Sequence, residues 1–336
     1  PETCEAWNRR GARGSPFFLI REKANMPKGF LTYQQLVEKL KRSGLTIANE
    51  ETCRAVLENV GYFPVINGYQ VLFRDPSTRI YREGVAFEDI LALYKFDREL
   101  RSVVLGALLS VEARLRSVTA HEFCAVHGDD QSAYLDPAVY SSSKGARRIL
   151  PRLIETLGKI ANSDESHHYL VHYRKAYGNV PLWVAVNAMT FGQLSKMYST
   201  LTDADKRRIA KRYGSVNSKE LAQFVRVLSL FRNVCAHGER LFSHKCHVDI
   251  PDTVLHAKIG IVKSGPGYTC GKNDLFAVVI ALRYVMPSEQ FIEFKKRLNA
   301  CITRYCNREE SIGESSLLNA MGFPAEWKKI TRFKLW

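Results

Sequence analysis

The run Phe231-Arg232-Asn233-Val234-Cys235-Ala236-His237-Gly238-Glu239-Arg240 holds an arginine, a polar residue directly after it, and a histidine five positions on. Those three side-chain types are what RNA cleavage without a metal requires. A histidine can take a proton from a ribose 2′-OH or return one to the leaving 5′-oxygen. An arginine can hold the phosphate bidentately and stabilise the charge that develops on it. One such segment supplies one histidine, whereas general acid and general base are two roles. Two copies meeting across a two-fold axis would supply both, so a homodimer is part of this reading. A plainer role is also open, because a helix C-terminus favours cations through its dipole. An R-x4-H spacing arises readily by chance, so the motif gains weight only from its surroundings.

The element that must carry the motif is a helix over Ser218–His237. Leu221, Phe224, Val225, Leu228, Phe231 and Cys235 share one face, and Gly238 is the stop. At 100° per residue, Arg232 and His237 stand about 140° apart around it. Arg232 falls at the border of the apolar stripe, while Asn233 and His237, four apart, face away from it. A second R-x4-H, Arg116 to His121, lies on the longest periodic segment, Phe87–Cys124. There Leu100, Val104, Leu108, Val111, Leu115 and Val118 advance by steps of three and four. Glu112 sits one turn before Arg116, in salt-bridge position. The pair reads as helix packing or support for the site, with a second half-site in the same chain as the alternative. Arg116 is the better candidate to reach the chemistry.

Other segments read as helices too: Thr32–Lys41, the stretch from Asn49 to Gly61, Leu150–Ala161, Trp183–Thr190, Gln193–Leu201, Asp203–Tyr213, Leu275–Met286 and Ser288–Asn307. Tyr62–Glu83 reads as a loop or irregular hairpin, and Val248–Ile250 and His256–Val262 as loosely β-like. The expected fold is all-α, a helical bundle with an appended C-terminal helical region. Its parts would be a basic flexible arm over 1–28, a helical domain over 29–247 and a mostly helical extension over 248–336.

The chain has 336 residues, with 49 Lys+Arg against 34 Asp+Glu for a net charge of +15, and 46% of it is hydrophobic. That is ample for a core and excludes general disorder. The positive excess points to a polyanion, nucleic acid before an anionic membrane. Candidate RNA contacts are Lys144, Arg147, Arg148 and Arg152; Lys206, Arg207, Arg208, Lys211 and Arg212; and Lys295, Lys296 and Arg297. The second group lies nearest the motif helix. The longest apolar runs, Val103–Val111 and Leu275–Leu282, are about half the ~20 residues a membrane span needs, so no membrane partner is expected. Eight scattered cysteines without a CxxC pair, and an opening segment without a secretory h-region, suggest a reducing cytoplasm. His244, Cys246, His247 and Cys270 invite a zinc reading, but the H-x-C-H spacing is tight for tetrahedral ligation and no CxxC pair supports it, so a structural role is preferred. His167, His168 and His172 read as part of a polar loop. Neither a metal nor a cofactor is expected.

A series of short matches places the motif in wider company. Phe30-Leu31-Thr32-Tyr33-Gln34-Gln35-Leu36 opens it, followed by Gly68-Tyr69, Phe73-Arg74-Asp75, Phe87-Glu88-Asp89-Ile90 and Tyr94-Lys95-Phe96-Asp97-Arg98-Glu99-Leu100-Arg101. Then come Tyr134-Leu135-Asp136-Pro137, Pro181-Leu182-Trp183-Val184-Ala185, Phe191-Gly192-Gln193-Leu194-Ser195-Lys196, Ile209-Ala210 and Arg232-Asn233-Val234-Cys235-Ala236-His237. In this order, over residues 30–240, the chain resembles the Abi family of abortive-infection proteins, the AbiD/AbiF-like group of the HEPN superfamily. The resemblance implies a HEPN-type helical fold, a homodimer, and metal-independent endoribonuclease activity that halts growth during phage infection. It also implies restraint by a small structured RNA, as in toxin–antitoxin pairs. The family's catalytic arginine and histidine map onto Arg232 and His237, with Asn233 as the polar neighbour. Where the family often has a second histidine and an Arg-Leu-Trp-Asn tail, this chain has Gly238 and Arg240-Leu241-Phe242-Ser243, with Arg240 kept as a possible second phosphate contact. The rival reading is a non-catalytic RNA-binding module in which the same basic surface binds RNA and the motif is structural.

Overall fold

Helix starts in this chain are written by small polar side chains. Thr32, Asn49, Asp130, Ser143, Thr190, Thr202 and Asn217 each accept a hydrogen bond from a backbone N–H of the first turn that follows. The computed structural model describes residues 29–335 apart from 164, 166 and 310, so the expected basic arm over 1–28 lies outside the described residues. In chain order the helices are α1 (Tyr33–Arg42), α2 (Glu50–Asn59), α3 (Phe87–His127), α4 (Gln131–Leu135), α5 (Lys144–Asn162), α6 (His168–Tyr177) and α7 (Leu182–Ala185). They continue with α8 (Phe191–Thr200), α9 (Asp203–Lys211), α10 (Ser218–Ala236), α11 (Val254–Lys258), α12 (Leu275–Val285), α13 (Ser288–Cys306) and α14 (Glu314–Met321). Two antiparallel strands of two residues each, β1 (Lys263–Ser264) and β2 (Gly267–Tyr268), complete an all-α fold.

The axis of the molecule is α3, 41 residues long and hence about 60 Å from end to end. Leu100, Val104, Leu108, Val111 and Leu115 are buried along it, and Val118 is half-buried. The helices α10, α12 and α13 all pack against α3, and α10 also packs on α8. The apolar face expected of α10 is buried from Leu221 to Cys235. Gly128, in a left-handed conformation at φ 87°, ends α3 three residues beyond the expected Cys124.

Several boundaries differ from the sequence reading. The stretch with His167, His168 and His172 contains a helix, α6, whose one buried side chain is Leu170; a single apolar anchor leaves little periodicity to read. The segment His256–Val262 is not β-like at its start. Leu255 and His256 are buried on α11, and the His256 ring exchanges hydrogen bonds with Thr253 and the Gly271 carbonyl. Val248–Ile250 forms no strand either. The helix expected from Leu150 begins at Lys144, capped by Ser143, and continues through Pro151. The one expected over Trp183–Thr190 is the four-residue α7 followed by a 3-10 turn, Val186–Ala188. Tyr62–Glu83 is irregular as expected, with a π turn, a 3-10 turn and an isolated bridge between Arg74 and Tyr81.

Candidate active site

Helix α10 runs antiparallel to α3, so its C-terminal turns meet the middle of the long helix. Arg232 arrives there opposite Glu112, a carboxylate only 1% exposed. One Glu112 oxygen is paired with the Arg116 guanidinium, and the other lies 3.3 Å from Arg232 Nε. Arg116 also donates to the Met189 carbonyl at 2.8 Å, which ties the end of the turn after α7 to α3. A buried carboxylate shared by two guanidiniums satisfies the rule that interior charges are paired. The cluster keeps a net positive charge, and Arg232 and Arg116 are still 26% and 23% exposed. Among the described residues, the terminal nitrogens of Arg232 make no hydrogen bond, so they are available to an anion.

His237 follows as the residue that caps α10, its N–H bonded to the Asn233 carbonyl at 2.9 Å. Both Asn233 and His237 are exposed, on the side of α10 away from its apolar stripe. Gly238 then turns left-handed at φ 69°, where an L side chain is strained, and the Glu239 N–H returns to the Val234 carbonyl. Cys235 is buried on the apolar face of α10, and that burial pushes its thiol up to about 12, away from the thiolate form.

The chain beyond the motif is held by groups whose role the sequence reading did not assign. Asp97, fully buried on α3, accepts hydrogen bonds from the Phe242 N–H at 2.7 Å, from the Leu241 N–H, from the Tyr69 hydroxyl at 2.7 Å and from Arg101. Arg101 reaches on to the Glu239 carbonyl at 3.1 Å. The Tyr69 ring stacks on Phe242, centroids 5.8 Å apart. Burial raises the Asp97 carboxyl pKa, and the converging donors and the Arg101 charge oppose that shift. The readable signal was an Asp–Arg pair one turn apart on the buried face of α3, where charged residues have no place unless they are paired. Arg240 donates to the Gly68 carbonyl at 2.7 Å and is partly buried, so part of its guanidinium is committed to this same anchor.

The other named residues divide in two. Arg207 and Lys211 on α9 and Arg147 and Arg148 on α5 are exposed and make no ion pair among the described residues. Lys206 lies 3.8 Å from Asp203, Arg208 is paired with Asp205, and Arg212 is 2.6 Å from Glu122. None of these five-plus-two basic residues touches the Glu112 cluster directly. His121 stands 71% exposed beside Glu122. His244 packs edge-on against Phe231, and Cys246 donates to the Val248 carbonyl.

An all-α chain that buries a glutamate between two arginines, one helical turn before an exposed histidine, is thus the frame in which the motif sits. The model of the Abi-like protein family matches residues 55–243, more than half of the chain, and the chain belongs to that family. The matched span includes Tyr69, Asp97, Glu112, Arg116, Arg232 and His237. Membership suggests a part in abortive-infection defence. No curated protein and no solved structure matches the chain. Among the described residues, no helix is long and apolar enough to cross a membrane.

Proposed function

We propose that the chain is a metal-independent endoribonuclease of the HEPN type, a homodimeric toxin acting in abortive infection and restrained by a small structured RNA. The observation that carries this reading is the Glu112 carboxylate, which joins Arg116 to Arg232 one turn before the exposed His237. In the proposed reaction the RNA phosphate lies against Arg232, with its charge met by the net positive cluster. His237 takes the proton of the ribose 2′-OH, the 2′-oxygen bonds to phosphorus, and the bond to the 5′-oxygen breaks. The histidine of a second copy returns a proton to that oxygen. The products are a 2′,3′-cyclic phosphate and a 5′-hydroxyl. In this reading Asn233, the exposed residue that follows Arg232, contributes a contact to the phosphate or the ribose.

The need for a second histidine supports the dimer, and so does the surface beside the site. Gly106, Leu109 and Ala113 of α3 and Ala236 of α10 are exposed around the cluster, a small and apolar rim that a second copy can approach closely. Exposed Arg207 and Lys211 on α9 supply candidate RNA contacts. Expression in a bacterial host tests the reading: wild type arrests growth, and His237→Ala at the same protein level does not. Arrest by both variants, or by neither in the absence of any inhibitory RNA, contradicts it.

A further inference from the structure

Beside the Glu112 cluster runs an open groove of about 710 Å³ between α3 and the α7 segment. Arg116, Ser117 and His121 line its floor, and Trp183 and Asn187 form its far wall. Its size lies within the roughly 300–1,000 Å³ of small-molecule clefts. Trp183 is 45% exposed, which is unusual for the most apolar area a side chain can offer. Its backbone is fixed in place. The Asn187 amide donates to the Trp183 carbonyl at 2.8 Å, and the Val184 and Ala185 N–H groups close the turn onto the Pro181 carbonyl at 2.9 and 3.0 Å. An indole turns about only two side-chain bonds, so on a fixed backbone it loses little freedom when a flat ligand covers it.

The charges along the groove are graded. Arg116 stands at the end that joins the Glu112 cluster, His121 lies between, and Asp129, just past the end of α3, marks the opposite end. A phosphate is therefore drawn toward Arg116 and turned away from Asp129. An aromatic platform next to a cationic path is the arrangement that binds unpaired nucleotides, because every base has a stacking face and every linkage a charge.

Resting on the nuclease reading, we propose that this groove is a nucleotide subsite, in which an unpaired base stacks on Trp183 and its phosphate faces His121 and Arg116. A strand seated there would lead directly to Arg232 through the shared Glu112. The same chemistry fits a base within single-stranded RNA and a free mononucleotide, and the two are separable by competition.

The test uses the full chain and a labelled eight-nucleotide single strand with 2′-O-methyl riboses, which cannot be cleaved, and reads binding by fluorescence anisotropy. Trp183→Ala is expected to weaken binding about 5- to 150-fold, the range of one lost base stack. Trp183→Phe is expected to restore most of it, and binding of fully duplex RNA is expected to be unchanged. Displacement of the strand by millimolar AMP assigns the groove to free nucleotide; no displacement assigns it to the strand. Should Trp183→Ala fail to fold, Ser117→Phe fills the groove from an exposed position of α3 and must give the same loss. Wild-type affinity in a folded Trp183→Ala or Ser117→Phe chain overturns the proposal. Because the probe is not cleaved, that result leaves the nuclease reading standing. Equal cleavage of ordinary RNA by wild type and His237→Ala would remove the nuclease reading and leave this measurement intact.

Discussion

Replacing Glu112 by glutamine keeps the shape of the side chain and removes the negative charge held between Arg116 and Arg232. Two guanidiniums are then left facing each other around a site that is 1% exposed. Removing one partner of a buried ion pair costs about 3–5 kcal/mol, and the partial exposure of both arginines puts this case at the lower end, about 3 kcal/mol. For a chain of this length the unfolding entropy turns that into a fall of about 4 °C in Tm. Calorimetry on wild type, Glu112→Gln, Arg116→Met and the double variant isolates the coupling. The double variant is expected to recover part of the loss, with an interaction of at least about 1 kcal/mol. RNA cleavage should fall as well, since Arg232 loses the group that orients it, while the products keep their cyclic-phosphate ends. A Tm within one degree of wild type together with coupling below about 0.5 kcal/mol would show that the glutamate does not join the two arginines.

Other perturbations have equally direct outcomes. Gly238→Ala forces a side chain into φ 69° and is expected to cost about 1–2 kcal/mol by urea unfolding, with lower cleavage because His237 is displaced; an unchanged urea midpoint contradicts the turn. Asp97→Ala strips four donors of their acceptor and is expected to lower stability by more than about 3 kcal/mol, or to prevent folding, whereas Phe242→Leu should be mild. Burial, with the Arg240 charge second, holds the His244 pKa down to about 4. The unfolded chain therefore binds the proton first, and stability present above pH 6.5 is lost as pH falls toward 4; His244→Phe should flatten that slope in pH-dependent denaturation. Asp274, raised to about 6 by burial, has the opposite sign: its contribution is full below pH 3.8 and is lost as pH rises through 6, so Asp274→Asn should be relatively more stable above pH 6 than below pH 4.

What was legible in the sequence follows from how local each signal is. The helices α3 and α10 announce themselves because a long apolar stripe repeats every three to four residues, and α1 because Tyr33, Leu36, Val37 and Leu40 keep the same spacing behind Thr32. The Glu112–Arg116 pair was readable as an i, i+4 spacing, but its reach to Arg232 spans 120 positions and depends on how α10 lies against α3. The same holds for Asp97, whose partners Tyr69 and Phe242 stand 28 and 145 residues away. Helix α6 escaped because Leu170 is its sole buried side chain, and α11 because its valine and isoleucine neighbours favour strands in isolation while Thr253 and His256 decide otherwise. Charge spacing shows which basic residues exist, and only packing shows that Arg208 and Arg212 are spent on Asp205 and Glu122 while Arg207 and Lys211 are left to solvent.

The most direct test of the central proposal is chemical. Purified wild-type chain and His237→Ala, freed of co-purifying RNA, are incubated with total cellular RNA in EDTA, and the new ends are mapped. The expected result is cleavage by wild type alone, leaving 2′,3′-cyclic phosphates and 5′-hydroxyls. Cleavage that requires Mg²⁺, 3′-hydroxyl ends, or equal activity in His237→Ala would contradict it.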